Sequence, residues 1–191
     1  MSAYDLPDTT LITNEQISAN FIAHGCKTFR GAALYLRDLP YGRNLGTPAH
    51  LSVLNEGRGT CSSKHALVVA LAHELDLDVR LVLGIYEMDE TNTPGVGPTL
   101  TAAGLRAVPE AHCWITYGLN PIDLTSPNAQ SQFHTRTFVH EEEIEPEQTG
   151  SYKAKAHRDF ITRWLSDAQH VNLNSEQVWR IREECIAALS V

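Results

Sequence analysis

The sequence predicts an α+β fold, a shell of helices around a small antiparallel sheet, and three observations predict it. Val79, Leu81, Leu83 and Ile85 alternate with Arg80, Val82, Gly84 and Tyr86, the period of two of a strand buried on at least one face. Ala111 to Tyr117 and Pro121 to Leu124 form two more strand-like runs, joined by a turn containing Gly118 and Asn120. The flanking segments carry apolar residues at helical spacing, bounded by cap and breaker residues.

Taken in order, Ile17, Phe21 and Ile22 recur at helical spacing behind a cap offered by Thr13 or Asn14, until Gly25 interrupts them. A second helix runs from Thr28 to Leu36 and ends before Pro40. Thr47 and Pro48 read as the cap and first position of a short helix that stops near Gly57. Gly57, Arg58, Gly59 and Thr60 then lead into a helix from Cys61 to Leu75, with Ala66, Ala70 and Leu71 on one stripe and Cys61 in the first turn. The loop after Tyr86, with Asn92, Thr93, Pro94, Gly95 and Gly97, is too long for a hairpin; decorating the surface is its commoner reading and bordering a site the other. The acidic run His140 to Glu147 predicts a solvated connection. Two further helices are expected, from Lys153 to Leu165 and, capped by Asn174 or Ser175, from Glu176 to Leu189.

A length of 191 residues fits one domain, 1–191, able to bury its own core, and a hydrophobic share of 42% with 20% charged residues is that of a globular chain. Fifteen basic against twenty-three acidic residues, without a basic cluster, disfavour nucleic acid and anionic membranes as partners. The opening MSAYDLPDTTLITNEQ has no basic region followed by an apolar run, and no stretch reaches membrane-spanning length, so the expected location is the cytoplasm. Cys26, Cys61, Cys113 and Cys185 are scattered without a C-x-x-C pair and are expected as reduced thiols, with Cys26 in a helical stretch beside Phe29 and Cys185 in the last helix as small core residues. Oligomeric state leaves no signature.

The chemistry concentrates on Cys61. In the first turn of a helix, unpaired N–H groups and the helix dipole favour the thiolate, and the glycines before it allow close backbone approach to a ligand. A thiol nucleophile needs a base, and His112 opens one predicted strand with Asp123 eleven residues later on the next. A turn centred on Tyr117 and Gly118 opposes the two directly. A turn centred on Gly118 and Leu119 sets Asp123 against Trp114 and diagonal to His112, still within reach; an even register separates them.

The stretch GRGTCSSKHALVVALAHELDLDVRLVLGIYEM, followed by AHCWITYGLNPIDLT, resembles the transglutaminase-like cysteine enzymes of the papain-like superfamily, over about residues 40 to 125. The resemblance lies in the order Cys, His, Asp, in the G-x-C helix start and in the H-x-W strand, placed here as Cys61, His112, Trp114 and Asp123. It implies a Cys-bearing helix packed on an antiparallel sheet, with Cys61, His112 and Asp123 as a catalytic triad. It also implies an acyl chemistry ranging over transglutamination, peptide hydrolysis, deamidation and deglycosylation. No calcium-binding loop is recognisable, which points to small bacterial-type members, and no cofactor is implied.

Each residue has a plainer reading. Singly, Cys61 reads as a small buried residue, His112 as a satisfied core histidine and Asp123 as a strand-end carboxylate. Trp114 reads as a core aromatic under the Cys helix. Cys61, His65, His112 and Cys113 invite a zinc reading, set lower because His112 and Cys113 point to opposite faces of a strand; His65 packs beside the site or faces solvent. Glu87, Asp89 and Glu90 lack the compact spacing of a cation loop, and the remaining histidines follow no ligand pattern. The leading expectation is a thiol-dependent amide or acyl enzyme acting on a protein, peptide or small acyl substrate. A non-catalytic binding module comes second and a zinc hydrolase third.

Overall fold

The computed structural model describes residues 3–167 and 172–189; the expectation for His170 lies outside them. Four helices come first: α1 (Gln16–Ala23), α2 (Phe29–Asp38), α3 (Ala49–Glu56) and α4 (Cys61–Glu74). They are followed by β1 (Val79–Met88), α5 (Gly97–Ala102), β2 (Val108–Tyr117), β3 (Asn120–Ile122), α6 (Ala129–Phe133), β4 (Phe138–Ile144), α7 (Ser151–Asp167) and α8 (Ser175–Ala188). The strands form one antiparallel sheet in the order β3-β2-β1-β4.

The expected caps hold in part. Asn174 caps α8 through its side chain, but α1 is entered through Glu15 without a side-chain cap, so neither Thr13 nor Asn14 serves it; Thr28, expected inside α2, is instead its cap. Pro48 is the cap rather than the first residue of α3. Cys26 lies in the connection between α1 and α2, not in a helix, though its side chain is buried as expected.

The sheet divides the core by residue parity. Leu81, Leu83, Ile85, Ala111, Cys113 and Ile115 pack with α1, α2 and α4, and α4 is buried on almost every side rather than along one stripe, as a central helix is. Tyr86, Met88 and Val108 face the other way, against α5, α7 and α8. Trp114 belongs to that second face by the period of two and packs on Phe133 and Phe138, with ring centroids 5.1 and 4.4 Å away. The expectation of an aromatic under the Cys helix is thus corrected: Trp114 is core, but across the sheet from the body of α4.

Gly84 makes room for that indole. A Cβ there would stand 2.4 Å from Trp114 Cη2 and 2.6 Å from Phe138 Cδ1. Gly84→Ala is therefore expected to lower stability by roughly 1–3 kcal/mol through overpacking, read as a fall in the urea midpoint.

The acidic run is not a loop. Residues from Phe138 to Ile144 pair with β1 as an edge strand, their carboxylates turned to solvent, with a register shift where Ile85 pairs His140 and Tyr86 pairs Phe138. Charge on an exposed edge is a device against edge-to-edge pairing, and it hides the strand from an apolar pattern.

Candidate active site

Cys61 is the first residue of α4, and the residues around it hold the helix start rigidly. Thr60 Oγ1 accepts the Ser63 N–H at 3.3 Å while Ser63 Oγ accepts the Thr60 N–H at 2.9 Å, and the Ser63 hydroxyl donates to Asn44 Oδ1 at 2.7 Å. The N–H groups of Cys61 and Ser62 have no acceptor within the helix, so the positive end of the dipole falls on the thiol. The approach segment is tied down by a short parallel bridge, with Gly59 N–H donating to Pro40 O at 3.1 Å and Gly42 N–H to Gly59 O at 3.2 Å.

The meeting of helix and sheet follows from the short third strand. β3 pairs only with Ile115 to Tyr117, so the earlier part of β2 is unpaired on that edge. There the Cys113 backbone and the His112 imidazole come close enough to the Cys61 thiol to favour its thiolate. Thiol and imidazole thus approach each other from α4 and β2 at an open sheet edge.

Of the registers open to the sequence, the structure has the one centred on Gly118 and Leu119. Tyr117 pairs with Asn120, Thr116 with Pro121 and Ile115 with Ile122. Gly118 takes the left-handed φ of +60° that a two-residue hairpin turn demands. Continuing the ladder sets Asp123, just past the end of β3, opposite Trp114 and diagonal to His112. The diagonal is closed by a 2.8 Å hydrogen bond from His112 Nε2 to Asp123 Oδ2. With Nε2 so engaged, Nδ1 is the ring nitrogen left for the thiol. The imidazole plane stacks on Trp114, 19° from parallel with centroids 6.3 Å apart.

Asp123 is held as firmly as it holds. Its Oδ1 accepts from Thr125 N–H at 2.9 Å and Thr125 Oγ1–H at 2.6 Å, Arg136 Nη1 lies 3.4 Å from Oδ2, and its own N–H donates to Gln130 Oε1 at 2.8 Å. Burial opposes its charge, but His112 and these hydrogen bonds outweigh burial and keep the carboxyl far below the usual carboxylate range. Burial likewise opposes the imidazolium of His112, and Asp123 together with the Cys61 thiolate overcomes it, raising the histidine pKa. For Cys61, burial works against the thiolate, while the Lys153 ammonium, His112 and the Cys113 N–H bring the pKa down to about 5. Both shifts favour a thiolate paired with an imidazolium. The other thiols run opposite: burial lifts Cys113 and Cys185 to about 11 and raises Cys26.

His65 packs beside the site. Its Nε2 accepts the Leu124 N–H at 2.6 Å and its Nδ1–H donates to Cys61 O at 2.7 Å, so both ring nitrogens are committed to backbone. Burial lowers its pKa to about 4, which keeps it neutral, and the Leu124 N–H fixes this tautomer. Among the described residues, no group of three His, Cys, Asp or Glu side chains is placed to hold a metal ion. Glu87, Asp89 and Glu90 serve other partners: Trp164 Nε1–H, the amides of Thr91 and Asn92, and those of Gly95 and Gly97.

Several residues of the site had no signal in the sequence pattern. Lys64, in α4, is fully buried, and its ammonium donates to Thr125 O at 2.8 Å and Leu39 O at 2.5 Å, tying the segment after Asp123 to the end of α2; desolvation brings it down to about 8. Lys153 Nζ, from α7, lies 3.9 Å from Cys61 Sγ and 2.6 Å from Ser62 Oγ. Arg182 of α8 forks onto the buried Glu110 of β2, with Nη2 2.6 Å from Oε1, which ties α8 to β2 in the wall of the site.

Cys61 opens onto two cavities. One of about 750 Å³ is lined by Tyr41, Arg43, His50, Lys153, His157 and Trp179. The other, of about 280 Å³, is lined by His112, Tyr86, Met88, Pro94, Gln132 and Arg136. His50 and His157 are thus cavity-wall residues, and Pro94 puts the long loop after Tyr86 at the border of the site.

Residues 24–123 match the family model described as the transglutaminase-like superfamily. That is more than half of the chain, and the protein belongs to this superfamily, whose members are typically cysteine-dependent enzymes. No curated protein and no solved structure matches it. Among the described residues no helix is long and apolar enough to cross a membrane.

Proposed function

We propose that the protein is a cysteine-dependent acyl hydrolase or acyltransferase working through a thioester on Cys61, with His112 as the proton carrier and Asp123 as the group that orients it. The observation that carries this reading is the convergence on one thiol of a helix start, an imidazole anchored by a buried carboxylate and a cation. Its two plain alternatives, a buried thiol and a satisfied core histidine, do not account for a thiol pKa lowered by the neighbouring ammonium and imidazole.

In this reading the Cys61 thiolate attacks the carbonyl carbon of a protein, peptide or small amide or ester. A C–S bond forms, and the carbonyl electron pair moves to oxygen beside the Cys61 N–H. Collapse restores the carbonyl, the leaving-group bond breaks, and the proton on His112 Nδ1 passes to the leaving amine or alkoxide. Water or an amine, deprotonated by the now neutral His112, then attacks the thioester and frees Cys61. The leaving group and the second nucleophile both exchange a proton with His112, so both use the smaller cavity, which His112 lines. Reduced thiols suit the cytoplasm as its place of action.

Intact-mass spectrometry after brief exposure to p-nitrophenyl acetate tests the reading. One acetyl group on Cys61, absent after prior alkylation, is expected. No adduct, or an adduct spread over surface lysines, would favour the binding-module alternative.

A further inference from the structure

We infer that Lys153 is a catalytic residue of this site, an ammonium that pairs with the Cys61 thiolate at rest and follows the negative charge onto the carbonyl oxygen as the tetrahedral intermediate forms. The inference rests on the thiol reading above and adds to it a group from outside the segment that matches the superfamily.

The placement of Lys153 is costly in two independent ways. It stands third in α7, where an ammonium meets the positive end of the helix dipole. It is also half-buried in the wall of the larger cavity, where a charge without a counter-charge is unfavourable. Among the described residues its hydrogen-bond partners are Ser62 Oγ at 2.6 Å and Cys61 Sγ at 3.9 Å, and it forms no carboxylate salt bridge. The other cations of that wall are spoken for: Arg43 pairs with Glu183, and Arg182 with Glu110 and Glu183. Glu110 adds a negative charge nearby but is forked by Arg182, so the anion in contact with Lys153 is the thiolate, just as Asp123 compensates the His112 imidazolium.

The thiolate is spent in the reaction. When its electron pair forms the C–S bond, the negative charge appears on the carbonyl oxygen two bonds from Sγ, within the reach of an ammonium that already touches Sγ. Lys153 keeps its proton throughout; the proton transferred to the leaving group comes from His112. Collapse to the neutral thioester removes the anion from beside Lys153, and attack by water or an amine restores it. The ammonium therefore favours both tetrahedral intermediates over the acyl-enzyme between them.

The test separates stabilising the thiolate from stabilising the oxyanion, because alkylation by iodoacetamide displaces iodide at a saturated carbon and forms no oxyanion. In Lys153→Met the alkylation midpoint is expected to move to higher pH and then reach the wild-type plateau, which also shows the site to be folded. Acylation by p-nitrophenyl acetate is expected to stay about 10²-fold below wild type even on the high-pH plateau, where thiolate formation is complete in both proteins. Lys153→Gln, which keeps a donor to Ser62, is expected to behave like Lys153→Met. Equal plateaus in both reactions would reduce Lys153 to a thiolate partner and overturn the inference while leaving the thiol reading intact. Acylation of wild type that survives Cys61→Ala would overturn both.

Discussion

Cys61→Ala is expected to lower turnover of a p-nitrophenyl ester by on the order of 10⁴- to 10⁶-fold, to the residual contributed by binding and the backbone donors. The fold is expected to survive. The packing of α4 comes from Leu67, Val68, Leu71 and their neighbours, and Cys61 sits at the end of the helix, where the capping box of Thr60 and Ser63 remains in place. A Tm close to wild type together with the lost activity is the expected pair of readings. Without the thiolate the His112 imidazolium also loses one of its two stabilising anions, so the histidine is expected to titrate lower in the variant by NMR.

Asp123→Asn is expected to reduce kcat by about 10²- to 10⁴-fold with a smaller change in KM. The carboxylate accepts the Nε2 proton of His112 and so leaves Nδ1 free to take the thiol proton. An amide at this place donates to Nε2 instead, which puts the ring proton on Nδ1 and blocks that role. Stability shifts with pH in a definite direction. The folded pKa of Asp123 lies below the unfolded value of about 3.9, so its contribution is present above that pH and is lost as pH falls through the folded pKa. That of His112 runs the other way: its folded pKa is raised, so its contribution is complete below about 6.5 and is lost as pH rises through the folded value. The variant is expected to lose the first and the Asp123 share of the second, and its urea midpoint is expected to fall most between these two pH values, where wild type has both.

The same residues show what a sequence of this kind discloses. Cys61, His112 and Asp123 were legible because their chemistry is local: a helix start needs only its cap and glycines, and parity along two neighbouring strands says whether an imidazole and a carboxylate share a face. Parity said which registers bring the two together, and the structure, with its left-handed turn at Gly118, takes one of those. Trp114 was legible as core but not as to which side, because assigning a face requires knowing which alternate residues the helix covers. β4 was hidden because an edge strand turned to solvent needs no apolar period, only backbone partners on β1. Lys64 and Lys153 were beyond reach for a different reason. A buried lysine is defined by carbonyls or a thiol that tertiary folding brings to it, and for Lys153 the thiol lies ninety-two residues earlier in the chain.

The central claim is that Cys61 rests as a thiolate paired with His112, and the rate of iodoacetamide labelling at each cysteine against pH, in native wild type and His112→Ala, tests it most directly. Labelling confined to Cys61 near neutral pH is predicted, with a midpoint near 5 that moves upward in the variant, while Cys26, Cys113 and Cys185 stay silent under burial. Labelling of Cys61 that rises only above the ordinary thiol range of about 8.5, at the same pH with or without the imidazole, would contradict it.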